Sequence, residues 1–273
     1  MLLVQLGRNG DMINVLPLAY CLSKQLGKVN WLVSREHASL LEGVSYVHPI
    51  IWDGAQDTLA AAIRRYQGQQ MIVTQAWLNP DPRHLTESFA LEQWRYAGQL
   101  DERNKFPLIF DQRDPKREAA LVAKHVPQNT GRKLVLVATD SVSTKFPHAN
   151  KLIASIRGLD VDVIDLRDVK AERIYDLIAL YDAADCLVTV DTMHLHLAKA
   201  SQCPVVALIN DGWKGAVPPP QTVAHWRYAE LGNDLSPVVE AVEKQLSRKV
   251  ESIALVLHTY PPGHTDRHKR AMA

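Results

Sequence analysis

Short runs of β-branched and aliphatic residues recur along this chain, and between them lie stretches whose apolar positions repeat with helical spacing. LLVQL (2–6) precedes MINVLPLAYCLSKQLG, VNWLV (29–33) precedes REHASLLEG, and QQMIVTQ (69–75) follows DTLAAAIRRYQG. A strand buried on both faces reads as a nearly continuous apolar run, and joining parallel strands takes a crossover helix. The alternation therefore constrains the chain to an α/β fold with parallel sheets. A polar stretch, NPDPRHLTESFALEQWRYAGQLDERNKFP, interrupts the rhythm and reads as a loop around Pro80 and Pro82 followed by a helix near 87–98. KHVPQNTGRK (124–133) is a Pro, Asn and Gly cluster that suits a linker. Beyond it come KLVLVA (133–138), VDVIDL (161–166), CLVTV (186–190) and VVALI (205–209), with helical patterns near 148–157, 171–184, 193–201 and 235–247. The expected architecture is two doubly wound domains, 1–125 and 126–250, facing each other across a cleft, with a tail at 251–273. A single continuous sheet is the alternative.

Composition narrows the function classes. With 273 residues, 47% hydrophobic and 22% charged, the chain can bury the core of one large or two moderate domains. Its 31 Lys and Arg against 30 Asp and Glu give a net charge of +1, so no global field draws it to nucleic acid or to an anionic membrane. The start has no basic n-region or small-residue cleavage site, and no run approaches the ~20 apolar residues of a membrane span. Cys21, Cys186 and Cys203 are scattered in apolar surroundings and read as small core residues of a reducing compartment. Together these features imply a cytoplasmic protein.

Three stretches carry groups that a core does not need. In LGRNGDMINVLP (6–17) a strand, Gly7, Gly10 and a helix follow one another as in phosphate-binding turns, without matching the dinucleotide fingerprint or a P-loop. Asp11 stands near the helix start, either as a cap (a role open also to Asn9) or as a general base facing the cleft. In VATDSVSTKFPHANK (137–151), Thr139, Ser141, Ser143, Thr144 and Lys145 can hold a phosphate by hydroxyl hydrogen bonds and charge, or form a solvated loop. In VTVDTMHLHLAKASQCPVVAL (188–208), Asp191 and Thr192 end a buried strand where the next helix would present its unpaired N–H groups to an anion; the alternative is an Asp191 cap. His194 and His196, two apart on a helix, point in different directions, so at most one faces a ligand and they cannot jointly hold a metal. Weaker candidates are Asp165 and Asp168 at a strand end, with Leu166 and Arg167 between them, and Trp213 in the Gly- and Pro-rich DGWKGAVPPP. The acids of DVD (160–162) open a strand at the end away from the expected cleft and are discounted.

In this order the three stretches resemble the ADP-heptose:lipopolysaccharide heptosyltransferase family. Its first motif is matched by Gly10, Asp11, Met12, Ile13, Leu16 and Pro17, with Asn14 inside it. Its lysine motif is matched by Lys145, Phe146 and Pro147, and its third by Asp191, Thr192, His196, Leu197 and Ala198. The chain departs from the family at Met193, where the motif has glycine, and at Phe146, where it has tryptophan. It is also shorter, mainly in its first half. The resemblance implies a GT-B fold of two Rossmann-like domains, an acceptor in the first and a nucleotide-sugar in the second. It further implies Asp11 as general base and an inverting transfer with no metal and no cofactor. The diphosphate would then meet Lys145, the hydroxyls of 139–144 and the turn after Asp191, with His196 supporting that turn or contacting the donor. The acceptor is expected to be a glycan. The rival acceptor is a hydroxylated base in DNA, as in enzymes of viruses that infect bacteria; Arg64, Arg65, Arg83, Arg95 and Arg103 bring positive charge to the first half. A non-catalytic nucleotide-sugar binding module, which Met193 permits, is a reading of another class. An NAD-linked oxidoreductase lacks its GxGxxG here.

Overall fold

The computed structural model describes residues 1–54, 58–75, 89–141, 145–210 and 218–247, with the backbone alone at 89 and 90. Ser143, Thr144, Trp213, the Pro80–Pro82 loop and the tail lie outside these residues. β1 (Leu2–Val4), β2 (Val29–Ser34), β3 (Val47–Trp52) and β4 (Met71–Val73) form an all-parallel sheet in the order β3-β2-β1-β4. A second all-parallel sheet contains β5 (Lys133–Ala138), β6 (Val161–Asp165), β7 (Cys186–Val190), β8 (Val205–Ile209) and β9 (Thr222–Arg227), in the order β6-β5-β7-β8-β9. There are thus two doubly wound sheets rather than one continuous sheet. The helices are α1 (Asn9–Leu26), α2 (Leu59–Arg65), α3 (Phe89–Tyr96), α4 (Pro115–His125), α5 (Ala149–Arg157), α6 (Leu177–Ala183), α7 (Met193–Leu197), α8 (Tyr228–Leu231) and α9 (Ser236–Leu246). REHASLLEG, read as an amphipathic helix, is a 3-10 helix over Arg35–Gly43.

Alternation along the strands divides the core. Leu2, Val4 and Leu6 pack with Leu59 and Ala62 of α2, whereas Leu3 points to the opposite face with Ile13 and Leu16 of α1. In the second sheet Val135, Val137, Val188 and Val190 pack on α5 and α9, while Leu134, Leu136 and Leu187 face the α6 and α7 side. The α1 side of the first sheet and the α6–α7 side of the second belong to one continuous apolar cluster, so the halves share a core as well as a cleft. All three cysteines are buried and free, as the sequence reading expected. No helix among the described residues is long and apolar enough to cross a membrane.

A second seam lies away from the cleft. Arg173 donates to Glu42 at 2.6 Å, and Phe110 stacks on Tyr175 with ring centroids 5.5 Å apart. Arg117 of α4 forks onto Asp176 at 3.0 and 3.1 Å, tying α4 to the second half. Gly43 closes this seam: a Cβ there would lie 2.7 Å from Phe110 Cδ1 and 2.8 Å from Tyr175 Cδ1, both ring atoms fixed by packing. Gly43→Ala is therefore expected to cost about 1–3 kcal/mol by overpacking and to lower the thermal midpoint by several degrees in a denaturation scan.

Candidate active site

Each sheet reverses its strand order beside a central strand, β1 in the first and β7 beside β5 in the second. Such switch points leave a crevice beyond the carboxyl ends of the strands. Here the two ends meet. α1 starts directly after β1 and α7 directly after β7, and the first turns of the two helices touch. A Cβ on Gly10 would lie 3.2 Å from His196 Cδ2 and 3.6 Å from Met193 Cα. A small residue at position 10 allows the approach, and it brings Asp11, Asp191, Thr192, Met193 and His196 to one junction.

The turn carrying Asp11 is held from beneath by buried polar side chains. Gln75 Oε1 accepts the Leu6 N–H at 2.8 Å, Trp31 Nε1 donates to Gln5 O at 2.9 Å, and Thr74 Oγ1 donates to Gln5 Oε1 at 3.1 Å. Gln5 Nε2 in turn donates to Gly7 O. Neither Asp11 nor Asn9 is the N-cap; that position is Arg8, which makes no side-chain capping bond, and Asn9 Oδ1 lies 3.0 Å from His37 Nδ1 instead. Asp11 sits in the first helical turn and reaches back to the backbone N–H of Arg8. Burial pushes its carboxyl up to about 6; the charge and the backbone N–H of Arg8 oppose that push, and Asp191 adds to it.

On the facing side the N-cap of α7 is Thr192, again without a side-chain capping bond, so Asp191 is not the cap. Burial raises the Asp191 carboxyl to about 6, with Lys199 pulling it down. The two histidines separate as their spacing requires. His194 is buried with Nδ1 2.7 Å from the hydroxyl of Tyr181, a satisfied core pair. His196 turns to the junction, its Nε2 3.6 Å from Asp191 Oδ1, too long for a hydrogen bond. Burial, then the charge of Lys199, drive His196 down to about 3, so this contact is to a neutral ring and is not an ion pair at neutral pH. α7 has five residues, continued by a 3-10 turn over Ala198–Ala200, so its dipole is weaker than that of a long helix and an anion here depends more on side chains.

The end of β5 supplies Thr139 and Ser141, both buried; Ser141 Oγ donates to Asp191 O at 3.3 Å, which joins the β5 loop to the β7 turn. Lys145 is exposed, while Phe146 anchors the loop in the core against Tyr228, ring centroids 5.0 Å apart. At the neighbouring strand end Leu166 is buried, and Arg167 is engaged by Asp165 at 2.6 Å and by Asn150 at 3.2 Å. The DVD acids sit at the opposite end of β6, where Arg132 pairs with Asp160 at 2.5 Å. Thr139 Oγ1 and His196 Nδ1 are buried with no hydrogen-bond partner among the described residues. No group of three or more His, Cys, Asp or Glu side chains is placed to hold a metal ion among the described residues. Sequence reasoning missed Lys199, whose Nζ donates to Asn14 Oδ1 at 2.8 Å across the junction, and the Gln5–Thr74–Gln75 support. A lone cation inside the apolar HLHLAKASQC was the available signal for the first.

No family model matches this chain, and no curated protein does. Solved structures do. A family 9 glycosyl transferase from Veillonella parvula is 14% identical with a TM-score of 0.62, covering 90% of this chain and 96% of that one. The ADP-heptose lps heptosyltransferase II of E. coli is 14% identical with a TM-score of 0.60, covering 90% and 98%. The E. coli heptosyltransferase WaaC, solved with ADP, is also 14% identical, with a TM-score of 0.53 and the same coverage. Two all-parallel α/β halves meeting at their switch points, matched over nine-tenths of the chain to these glycosyltransferases, give the protein the GT-B fold.

Proposed function

We propose that this protein transfers a sugar from a nucleoside diphosphate sugar to an acceptor hydroxyl, with inversion and without metal. The observation that carries the reading is the meeting of Asp11, from the first switch point, with the Asp191–Met193 turn, from the second, which Ser141 ties to the end of β5. A desolvated carboxylate thus stands beside a helix start whose backbone N–H groups suit a phosphate. Asp11 accepts the proton of the acceptor hydroxyl as that oxygen bonds to the anomeric carbon. The bond from that carbon to the diphosphate oxygen breaks, and its electron pair leaves with the nucleoside diphosphate. A carboxyl raised to about 6 is still mostly ionised at neutral pH and is a stronger base than an ordinary aspartate; such assistance is worth about 10²–10⁴-fold. Lys145 and the backbone N–H groups after Asp191 take up the charge on the departing diphosphate.

The test is a thermal-shift and calorimetric screen against ADP-, UDP-, GDP- and CDP-sugars in EDTA. ADP-sugars come first because ADP and ADP-heptose are named for the E. coli neighbours. A ligand that binds only the folded state raises its stability by mass action, about 2.7 kcal/mol at a hundred times Kd, and the midpoint rises with it. Lys145→Ala should weaken the hit, and a flat response to every nucleotide and nucleotide-sugar would remove the donor site.

A further inference from the structure

The transfer reading leaves one group of the junction unused. Lys199 follows α7, and its Nζ, instead of extending to water as lysines near a surface usually do, donates to Asn14 Oδ1 at 2.8 Å. Asn14 lies one helical turn beyond Gly10 and so shares the face of α1 that touches α7. We propose that Lys199 is the positioning residue of this junction: its ammonium pins α1 to the second half through Asn14 and neutralises Asp191, leaving Asp11 as the proton acceptor. The last clause rests on the sugar-transfer reading; the pin and the neutralisation do not.

The charges around Lys199 admit this assignment. On its own segment stand Asp191 and the neutral His196; on α1, Asp11 faces Asp191, and Arg8 at the cap acts on Asp11. Neighbouring α6 offers no competing anion, because Asp182 turns to Arg113 at 3.3 Å and the Tyr181 hydroxyl to His194. Burial lowers Lys199 to about 8 and Asp191 raises it, so the ammonium persists at neutral pH beside the acid it serves. Burying one charge alone is costly; here the ammonium is hydrogen-bonded by Asn14 and feels the opposite charge of Asp191. Asp11 is itself raised by Asp191, so a cation that offsets Asp191 also steadies the base on the opposite half.

The experiment is a carboxyl-carbon NMR titration of the full chain, with the Asp191 signal assigned by Asp191→Asn, for wild type, Lys199→Met, Lys199→Arg and Asn14→Ala. Methionine keeps most of the lysine stem, so packing is largely retained. Lys199→Met is expected to move the Asp191 midpoint upward by about one pH unit, tenfold in proton affinity. Lys199→Arg should return most of that shift, and Asn14→Ala should leave the midpoint in place. Amide exchange in the first turn of α1 should quicken severalfold in both Lys199→Met and Asn14→Ala. An Asp191 midpoint that ignores Lys199→Met, or α1 exchange unchanged in both variants, overturns the proposal. In turnover assays Lys199→Met should lower kcat by tenfold or more and shift the acid limb of its pH profile upward, with donor KM changed much less. A loss confined to KM would instead make Lys199 a diphosphate contact and overturn the positioning role. A shifted titration in a chain that turns over no nucleotide-sugar supports the neutralisation and counts against the transfer reading alone.

Discussion

Asp11→Asn should lose about 10²–10⁴-fold in kcat while leaving donor binding close to wild type, because the base acts on the acceptor and the donor belongs to the other half. Asparagine keeps the carbonyl that accepts the Arg8 backbone N–H, so the helix start survives and the loss reports proton acceptance. The same variant should be more stable than wild type at pH 7–8. The folded-state carboxyl is raised from 3.8 to about 6, so between these values the folded protein binds more protons than the unfolded chain. Stability from this group therefore falls as pH rises through that window, and above it the desolvated charge is a standing cost. Allowing for partial solvent screening, the gain on removing it is about 1–3 kcal/mol. Asp191→Asn should behave alike in sign, since its carboxyl is raised by the same cause. Loss of turnover together with a raised thermal midpoint would separate a functional acid from a structural one.

The second large effect is expected at Gly10. Alanine there asks the His196 ring to yield by a few tenths of an ångström and should be nearly silent. Valine adds two methyl groups on the face that meets Met193 and His196, and α1 and α7 must part to admit them. Displacement of about 1 Å between a base and its partner group can cost roughly 10²-fold in rate, so Gly10→Val should lower kcat by that order. Overpacking should cost only about 1–3 kcal/mol of stability. Steady-state kinetics beside a denaturation curve, for alanine and valine in parallel, distinguishes lost geometry from lost folding.

Much of this was legible in the sequence because buried parallel strands announce themselves. Each apolar run in the reading holds a strand, and Gly10, Asp11, Asp191 and His196 converge although they come from opposite ends of the chain. What escaped has physical reasons. VHPIIW was not read as a strand because Pro49 interrupts it; β3 tolerates the proline because it lies at the sheet edge. TVAHWR alternates half-buried and exposed positions and lies at the other sheet's edge, so it lacks the apolar run that marks central strands. α4 has a charged first turn and few large apolar residues, and its signal was its start: Asp114 accepts from the Lys116 N–H at 2.9 Å, with Pro115 in the first helical position. At the site, the cap reading of Asp11 and Asp191 failed because sequence places a residue near a helix start only to within a residue or two. Lys199 and the Gln5–Thr74–Gln75 support were missed because their roles depend on partners far away in the chain, 185 residues for Lys199 and Asn14.

The most direct measurement is a crystal structure of the protein with the nucleoside diphosphate selected by the binding screen. The account predicts the diphosphate in the junction, its oxygens on Thr139 Oγ1 and the backbone N–H groups of Thr192 and Met193, with Asp11 across from it on the first half. A diphosphate seated elsewhere, with Thr139 Oγ1 still unpartnered, would contradict it.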